Sequence, residues 1–318
     1  MKIILAGGTG FVGRAIGENL LSSGHEVFVL TRKVSTASIK KIKSVAWDAK
    51  TQGNWAACFD GADAVVNLTG ENIAGARWSE DRKKRLLSSR VDATRAVVNA
   101  MQNARNRPPV LINASAVGFY GDVPDAVLTE TSARGDGFLA ETCEEWEAEA
   151  HKAELFGTRV VLARLGPVLG EKGGPSGKQD KACPSSPGGM LSRMIFPFRF
   201  FIGAPLGTGR QWIPWIHLED VAGIFLFMIE RGDLEGAVNI TSPEPVTMKT
   251  FCGALAKILR RPCGVPIPGF LLKMMLGEMS AVVLSSQKVL PEKLISAGYR
   301  FRYRDISEAL GSILKKSA

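Results

Sequence analysis

The sequence is poor in cysteine and has no apolar run long enough to cross a bilayer. Its five cysteines are scattered, odd in number and never paired as C-x-x-C, which argues against a disulfide framework or a cysteine-based zinc site. The most apolar stretch, residues 190–202, is interrupted by Arg193, Pro197 and Arg199, so no transmembrane helix is predicted. The first predicted strand begins at Lys2, so no signal peptide is expected. We therefore expect a cytoplasmic protein with reduced thiols, no membrane partner and no metal site.

Composition and charge narrow the class of protein further. With 318 residues, 45% hydrophobic and 22% charged, the chain is typical of a large globular domain accompanied by a smaller one. The net charge of +9 is not gathered into a basic patch with interleaved aromatics, and no nucleic-acid motif is present. No nucleic-acid partner is therefore expected. A positive surplus also suits an enzyme whose ligands carry phosphate groups.

The strongest functional signal lies in the opening segment. Strand formers at 2–6 are followed by the sequence GGTGFVG at 7–13, by apolar residues at helical spacing, and by a second strand at 25–30. Glycine lets the backbone turn tightly and approach a pyrophosphate, whose charge is then stabilised by the helix N-terminus. An ordinary β-α turn is the alternative, but the flanking strands favour a dinucleotide site. The predicted cofactor contacts here are Gly7, Thr9, Gly10, Phe11, Val12 and Gly13.

The end of the second strand indicates which dinucleotide is bound. No acidic residue occurs from position 29 to 36, whereas Arg32 and Lys33 follow Thr31 directly. NAD sites usually place an acid in this region for the ribose 2′-hydroxyl, whereas arginine binds a 2′-phosphate in a fork. A solvated basic loop is the alternative. We predict NADP(H) rather than NAD(H), with Thr31, Arg32 and Lys33 at its adenosine end.

The alternation of strands and helices predicts the fold class. The further predicted strands lie at 44–48, 62–68, 109–115 and 159–164, and the predicted helices at 79–102, capped by Ser79, and at 141–154. Six strands alternating with helices predict an α/β protein with a doubly wound parallel (Rossmann) sheet and a smaller C-terminal substrate domain.

The composition and periodicity of the sequence change after the sixth strand. A segment at 171–189 rich in glycine, proline, serine and lysine is predicted to be a mobile loop. A short strand near residue 215 and a helix at 220–230 are expected to return to the main domain, and one more strand follows at 238–240. The predicted division is an NADP-binding Rossmann domain over 1–165, with 213–242 returning to it, and a smaller substrate-binding or lid domain over 166–212 and 243–318.

Further ligand contacts are expected at the carboxyl ends of the strands, where open parallel sheets bind their ligands. The additional predicted cofactor contacts are Asp48, at the adenine, then Leu68, Thr69, Gly70 and Glu71, and the helix residues Arg85 and Arg90. The predicted substrate contacts are Arg164, Arg210, Gln211 and Trp212, which suit an anionic or sugar-like substrate. A surface aspartate and a solvated helix face are the alternatives for Asp48 and for the two helix arginines.

Several segments together resemble the extended short-chain dehydrogenase/reductase superfamily, in its NAD(P)-dependent epimerase/dehydratase group. The matching segments are 7–13, 115–121, 164–170 and 215–221. A narrower set resembles the atypical "epimerase family" subgroup, some of whose members carry a cell-division-inhibitor label; it comprises 67–73, Trp78, Ser89, Arg90, 143–147 and 207–211. The likeness covers nearly the whole chain and departs at 171–189, which looks longer than the usual turn. It implies a Rossmann fold, a nicotinamide cofactor and a homodimer.

The resemblance also exposes an absence. The superfamily uses Tyr-x-x-x-Lys on the helix after the fifth strand, where the lysine lowers the pKa of the tyrosine for proton exchange with the substrate. Leu139 matches the tyrosine position and cannot exchange a proton, and Cys143 matches the lysine position and carries no fixed positive charge. Leu139 is still predicted to contact the nicotinamide. Ser115 and Tyr120 are the candidate catalytic residues, with packing at the strand end as the alternative for Tyr120. His217 is a candidate for proton transfer or for fixing a helix start.

Two functions from different classes follow. The first is an NADP(H)-binding enzyme of the extended short-chain type, an oxidoreductase or epimerase acting on a small polar substrate such as a nucleotide sugar. The second is a catalytically silent NADP(H)-binding regulator that acts through a protein partner, its chemistry lost with the tyrosine and lysine. Turnover distinguishes them.

Overall fold

The computed structural model describes residues 1–32, 42–171 and 187–315. Lys33 and nearly all of the loop predicted at 171–189 lie outside these ranges. Fourteen strands occur in the described residues: β1 (Lys2–Ala6), β2 (Glu26–Thr31), β3 (Lys43–Ala46), β4 (Ala64–Asn67), β5 (Val110–Ala116), β6 (Val123–Leu128), β7 (Arg159–Leu165), β8 (Val168–Glu171), β9 (Pro187–Gly188), β10 (Trp212–Ile213), β11 (Ile216–His217), β12 (Gly236–Ile240), β13 (Val246–Thr247) and β14 (Gln287–Val289).

Helices separate most of these strands. The α-helices of the described ranges are α1 (Phe11–Ser22), α2 (Glu80–Asn103), α3 (Phe138–His151), α4 (Gly189–Arg199), α5 (Leu218–Glu230), α6 (Met248–Leu259), α7 (Gly269–Leu276), α8 (Ala281–Leu284), α9 (Glu292–Ser296) and α10 (Ile306–Lys315). Short 3-10 helices lie at Asn54–Phe59, Val117–Tyr120, Lys152–Phe156 and Gly277–Ser280. The cap predicted for α2 is present, because the Ser79 side chain accepts a hydrogen bond from the amide of Arg82.

Seven strands form one parallel sheet in the order β12-β7-β5-β4-β1-β2-β3. The predicted Rossmann architecture is therefore confirmed, and all six predicted strands belong to this sheet. Its register places Ala6 beside Leu30 and Asn67, and Asn67 beside Asn113. The carboxyl ends of four central strands thus meet at one edge, where ligands bind in this architecture.

Strand β1 shows why the sheet is covered on both faces. Ile3 and Leu5 belong to one buried cluster, which α1 and α5 complete. Ile4 and Ala6 alternate onto the other face, in a second cluster with residues of α2 and α3. Four consecutive apolar residues, Ile3–Ala6, are therefore buried on both faces of the strand, which is typical of a parallel sheet between two helical layers.

A third buried cluster lies outside the sheet. It joins α4, α6 and α10 around Trp215, Phe251 and Leu310. Strand β14 from this half pairs with β6. These contacts give the C-terminal half an apolar core of its own, while the division into two domains stays a prediction.

The short strand expected to return to the main domain near residue 215 is not in the central sheet. Strand β11 pairs instead with β8 in a three-stranded sheet, and β12 is the strand that joins the central sheet. The helix predicted from residue 220 begins at Leu218, because the His217 side chain caps it by accepting from the amide of Glu219 at 3.1 Å. His217 therefore fixes a helix start, as one of its two interpretations had it.

In the described part of the chain, no helix has both the length and the apolar character needed to cross a membrane. The same residues contain no group of three or more metal-ligating side chains. The cytoplasmic location stays a prediction.

Candidate functional site

The turn between β1 and α1 demands glycine at two positions. Gly7 has a φ of +79°, and a Cβ there would lie 2.9 Å from the backbone carbon of Leu68. A Cβ on Gly13 would lie 2.4 Å from the carbonyl oxygen of Gly7. Rotating a side chain relieves neither clash, because the opposing atoms belong to the backbone. The turn thus brings the main chain of β1, α1 and the segment after β4 into close contact.

The N-terminus of α1 is suited to an anion. The residue before the helix, Gly10, has an extended backbone and offers no capping side chain, and the first helical turn contains no acidic residue. The first amides of a helix have no carbonyl partner within it, and the helix dipole makes this end favourable for phosphate. The turn therefore ends at helix amides that have no partner within the helix, which fits the pyrophosphate of a dinucleotide.

At the adenosine end, β2 finishes at Thr31 and Arg32 follows with an exposed side chain. Asp48, the other predicted contact, is engaged within its own turn. Its carboxylate accepts hydrogen bonds from the hydroxyl of Thr51 and from the amides of Lys50 and Thr51, both at 2.9 Å. These bonds lower the pKa of Asp48 to about 2. These hydrogen bonds within the turn satisfy the Asp48 carboxylate, so its position does not require a bound ligand.

The backbone after β4 is held against the glycine turn by a buried amide. The Asn67 side chain donates to Asn113 Oδ1 at 2.7 Å and accepts from the amide of Thr69 at 3.2 Å. Leu68 and Thr69 therefore have a defined path beside Gly7, as a cofactor-lining segment requires.

The charges around this segment are largely paired with one another. The Glu71 carboxylate accepts a hydrogen bond from Arg82 and lies 3.9 Å from Nε of Arg85. Arg90 donates to the backbone oxygen of Glu71 at 3.1 Å, and a Cβ on Gly70 would lie 3.2 Å from the Arg90 guanidinium carbon. Arg90 thus packs closely over the strand end, whereas the Arg85 side chain is mostly exposed.

A cleft of about 1110 Å³ lies between the carboxyl ends of β5 and β7 and the C-terminal helices. Its wall is largely apolar and aromatic, as ligand pockets usually are. Of the predicted site residues, those that line it are Arg90, Leu139, Gln211 and Trp212.

Helix α3 presents to this cleft the two positions where the superfamily has tyrosine and lysine. Leu139 and Cys143 are one helical turn apart, and both lie near Gly118. The Cys143 thiol donates to the carbonyl of Ala116 at 3.6 Å, and burial raises the pKa of this thiol to about 11. The thiol therefore stays neutral near pH 7 and cannot replace a lysine cation.

The other candidate catalytic residues lie behind the cleft wall. Ser115 Oγ donates to Glu147 Oε1 at 2.6 Å, and Arg164 holds the same carboxylate with two bonds of 2.8 Å. Arg164 also donates to the Tyr120 hydroxyl at 3.0 Å, which in turn donates to Asn239 Oδ1 at 2.7 Å. All five residues are buried, and burial raises the pKa of Tyr120. The polar atoms of Ser115, Tyr120 and Arg164 are used by the fold rather than offered to a ligand.

The segment after β9 and α4 supplies the opposite wall. Gln211 donates from Nε2 to the carbonyls of Leu206 and Val283, which fixes its orientation. Trp212 is half-buried with its ring under the Lys288 ammonium. Arg210 is exposed and does not line the cleft. Gln211 and Trp212 therefore meet the cleft, and Arg210 does not.

Comparison with known proteins identifies the family. The family model described as NAD dependent epimerase/dehydratase family matches residues 3–241. This chain belongs to that family. A domain of unknown function (DUF1731) matches residues 267–313. Among epimerase family proteins, YfhF of Bacillus subtilis (strain 168) is 38% identical over 99% of this chain and 98% of its own length. The chloroplastic SDR39U1 homolog of Arabidopsis thaliana is 38% identical over 99% of this chain and 87% of its own length.

Solved structures of family members share the architecture. The human epimerase family protein SDR39U1 (isoform2), crystallised with NADPH, superposes with a TM-score of 0.84 and is 31% identical over 99% of each chain. A nucleoside-diphosphate sugar epimerase from Corynebacterium glutamicum has a TM-score of 0.76 and is 30% identical over 99% of this chain and 58% of its own. The extended short-chain resemblance is thereby confirmed, while the narrower cell-division-inhibitor label stays a prediction.

Sequence reasoning missed most of the aromatic wall of this epimerase-family cleft. The aromatic residues concerned are Trp78, Phe138, Trp146 and Phe270. Trp78 stands within a family motif, which was a usable signal. Phe270 follows a Pro-Ile-Pro segment with no recognisable motif. Glu147, the buried partner of Arg164, lies in the family segment 143–147, but nothing in the sequence indicated that it is a counter-ion.

Proposed function

We propose that this protein is an NADP(H)-dependent enzyme of the epimerase/dehydratase family. It acts on a small polar substrate, for which a nucleotide sugar is one candidate, without the usual Tyr-x-x-x-Lys pair. The glycine turn carries the proposal, since Gly7 and Gly13 permit the close backbone turn that leads into the uncapped N-terminus of α1, where a pyrophosphate can be bound. The exposed Arg32 and the lack of an acid after β2 support the phosphorylated coenzyme. The NADPH of the human relative agrees with this choice.

The residues divide the work between coenzyme and substrate. Bound NADP(H) would supply or accept a hydride. The amides after Gly10 hold the pyrophosphate, and Arg32 binds the 2′-phosphate. Substrate occupies the cleft against Trp212, while Leu139 packs at the position of the superfamily tyrosine and moves no proton.

Coenzyme choice is tested by calorimetric titration of NADPH and NADH into wild type and Arg32→Ala. Wild type should bind NADPH more tightly, and the variant should lose about tenfold or more for NADPH alone, because a hydrogen bond to a charged group contributes roughly 1.5–3 kcal/mol. Arg105→Ala, which removes another exposed arginine beyond α2, is the matched control. Gly13→Ala should weaken both coenzymes. Equal affinities in wild type would refute the choice of NADP(H).

Turnover is tested by incubating the protein with NADPH and a panel of nucleotide sugars and small carbonyl compounds. The expected result is oxidation of NADPH by one chemical class. Trp212→Ala should then lower kcat/KM for that substrate more than Arg210→Ala, because only Trp212 lines the cleft.

The regulator remains the second candidate, on one specific observation. Leu139 and Cys143 replace the proton-transfer pair, and Ser115 and Tyr120 are committed to a buried network. Tight NADPH binding with neither net oxidation of NADPH nor conversion of any compound of the panel to an epimer would favour this reading over the enzyme.

A further inference from the structure

The C-terminal half carries large apolar side chains on its surface. Phe200, Phe201 and Ile202, directly after α4, are 61%, 60% and 70% exposed, and Val265 is 86% exposed. Phe196 on α4 is 63% exposed and packs on Phe200 with ring centroids 4.9 Å apart. These five residues are called the aromatic face below. Clustered exposure of this kind marks an interaction surface, whereas single exposed residues do not.

The aromatic face is one continuous surface, although its residues come from two segments. The amide of Gly264 donates to the carbonyl of Gly203 at 2.8 Å, and that of Ile267 to Pro205 at 2.8 Å. These bonds tie the loop after α4 to the loop after α6. The apolar side chains therefore project from two neighbouring loops that are fixed to each other.

The two segments that carry the aromatic face have charge of one sign. Residues 189–218 contain three arginines and residues 245–277 contain five lysines and arginines, yet neither segment contains an aspartate or glutamate. Arg199, Arg260 and Arg261 are exposed. The Arg261 guanidinium lies 4.3 Å from the centre of the Phe201 ring. Within the described residues these three arginines form no ion pair with a carboxylate, so their charge is available to an anionic partner.

We propose that the aromatic face binds the surface of a lipid bilayer that contains anionic lipids. Apolar side chains that project from loops among cationic residues can enter the headgroup region of a bilayer. Their phenyl rings are buried there, and the arginines bind lipid phosphates. A second copy of the chain fits less well, because a two-fold interface would set arginines against arginines. This proposal departs from the expectation of no membrane partner, which rested on the lack of a membrane-spanning run, because binding at the bilayer surface needs no transmembrane helix.

The test is co-sedimentation of the full-length protein with vesicles of phosphatidylcholine alone and of phosphatidylcholine mixed with phosphatidylglycerol. Wild type should bind the mixed vesicles, bind neutral ones weakly, and lose affinity as salt is added. Phe201→Ser with Ile202→Ser, and separately Arg260→Gln with Arg261→Gln, should each weaken binding to mixed vesicles by about tenfold or more.

Matched controls lie on the Rossmann side of the molecule. Leu155→Ser removes an apolar side chain that is 88% exposed, and Arg105→Gln with Arg107→Gln removes two exposed cations. Both should bind vesicles as wild type does. Light scattering and NADPH titration of every variant establish that the fold and the coenzyme site persist.

Two results would overturn the proposal. The first is a wild-type protein that does not co-sediment with mixed vesicles at low salt. The other is a wild-type dimer that becomes monomeric in the Phe201 and Ile202 variant, which would assign the aromatic face to a second copy. Vesicle binding is measured without coenzyme, so its failure leaves the coenzyme proposal standing, and the reverse also holds.

Discussion

The contact between Arg164 and Glu147 shows that a side chain predicted to bind substrate can have a structural role instead. Both side chains are buried, and the guanidinium binds the carboxylate through two parallel hydrogen bonds. A buried ion pair contributes little net free energy to folding, because desolvation offsets the attraction between the charges. Removing one partner is nevertheless strongly destabilising, because the other charge stays buried without a counter-ion. The Arg164 ring contact with Phe119, at 3.4 Å from guanidinium carbon to centroid, adds to this fixation.

Substitutions at this pair distinguish a structural role from a substrate-gripping one. Glu147→Leu alone should lower the free energy of unfolding by about 3–5 kcal/mol, because Arg164 is left buried without a counter-ion. Glu147→Leu with Arg164→Met should cost less than that single change. Urea unfolding followed by circular dichroism measures both. Should an Arg164→Met protein keep its stability but lose substrate affinity, Arg164 would have the ligand role that the sequence first predicted.

The cysteines offer a prediction that depends on pH. Burial raises the pKa of Cys58 and Cys143 to about 11 and that of Cys252 to about 12, because a buried thiolate lacks solvation. At pH 8 such thiols are almost entirely un-ionised. Iodoacetamide should therefore modify the exposed Cys263 first.

Peptide mapping by mass spectrometry after short exposure measures the labelling of each cysteine. Addition of urea should make all four described cysteines reactive. Rapid labelling of Cys143 in the folded protein at pH 8 would contradict the neutral, buried thiol.

At the scale of single elements, the start of α5 depends on an unusual cap. His217 is buried, its Nδ1 accepts from the amide of Glu219, and its ring lies 3.9 Å from that of Tyr303. Asp220, in the first turn, accepts from the amides of Arg302 and Tyr303 at 2.7 and 3.0 Å. The start of one helix thereby also fixes the path of the chain before α10.

Two substitutions at His217 separate capping from proton transfer. Asparagine places an acceptor oxygen where Nδ1 stands, so His217→Asn should retain the cap that His217→Ala loses. The alanine variant should be less stable than the asparagine variant by about 1 kcal/mol. Urea unfolding measures this difference. If turnover is found and both variants abolish it without loss of stability, the capping role is insufficient.

At the scale of the whole molecule, the C-terminal half is attached to the Rossmann sheet at several points around the cleft. Gln287 donates to the carbonyls of Val117 and Gly121 at 2.9 and 2.6 Å. Lys83 of α2 pairs with Glu278 at 2.5 Å. Because these bonds join the two walls of the cleft, a ligand bound there would stabilise both halves together.

Calorimetry should accordingly show one unfolding transition that moves to higher temperature with NADPH. At a coenzyme concentration about one hundred times Kd, the stabilisation is about 2.7 kcal/mol, which raises the midpoint by a few degrees. NADH at the same concentration should shift it less. Two transitions, of which only one responds to NADPH, would show two independent domains instead. The homodimer implied by the resemblance stays a prediction, which light scattering tests.

Much of the Rossmann half could be predicted because its signals are local. The apolar run of β1 and the glycines after it specify a strand, a turn and a helix start within a few residues. The six central strands were placed within about two residues of their ends, which is the usual precision of such boundaries. The sheet that β11 joins could not be predicted, because a strand of two residues, Ile216 and His217, carries no pattern that says which of two sheets it pairs with.

The linear order of residues was enough to specify a parallel sheet and a glycine turn with no acid after the second strand, and its resemblance to a known family showed that the tyrosine and lysine pair is missing. These depend on backbone geometry and on neighbours in the chain. Folding was needed to show that Arg164 faces Glu147 rather than the cleft, and that loops from two distant segments form the aromatic face. Both depend on contacts between residues far apart in the chain, and the type of a side chain does not determine which distant residues it will contact.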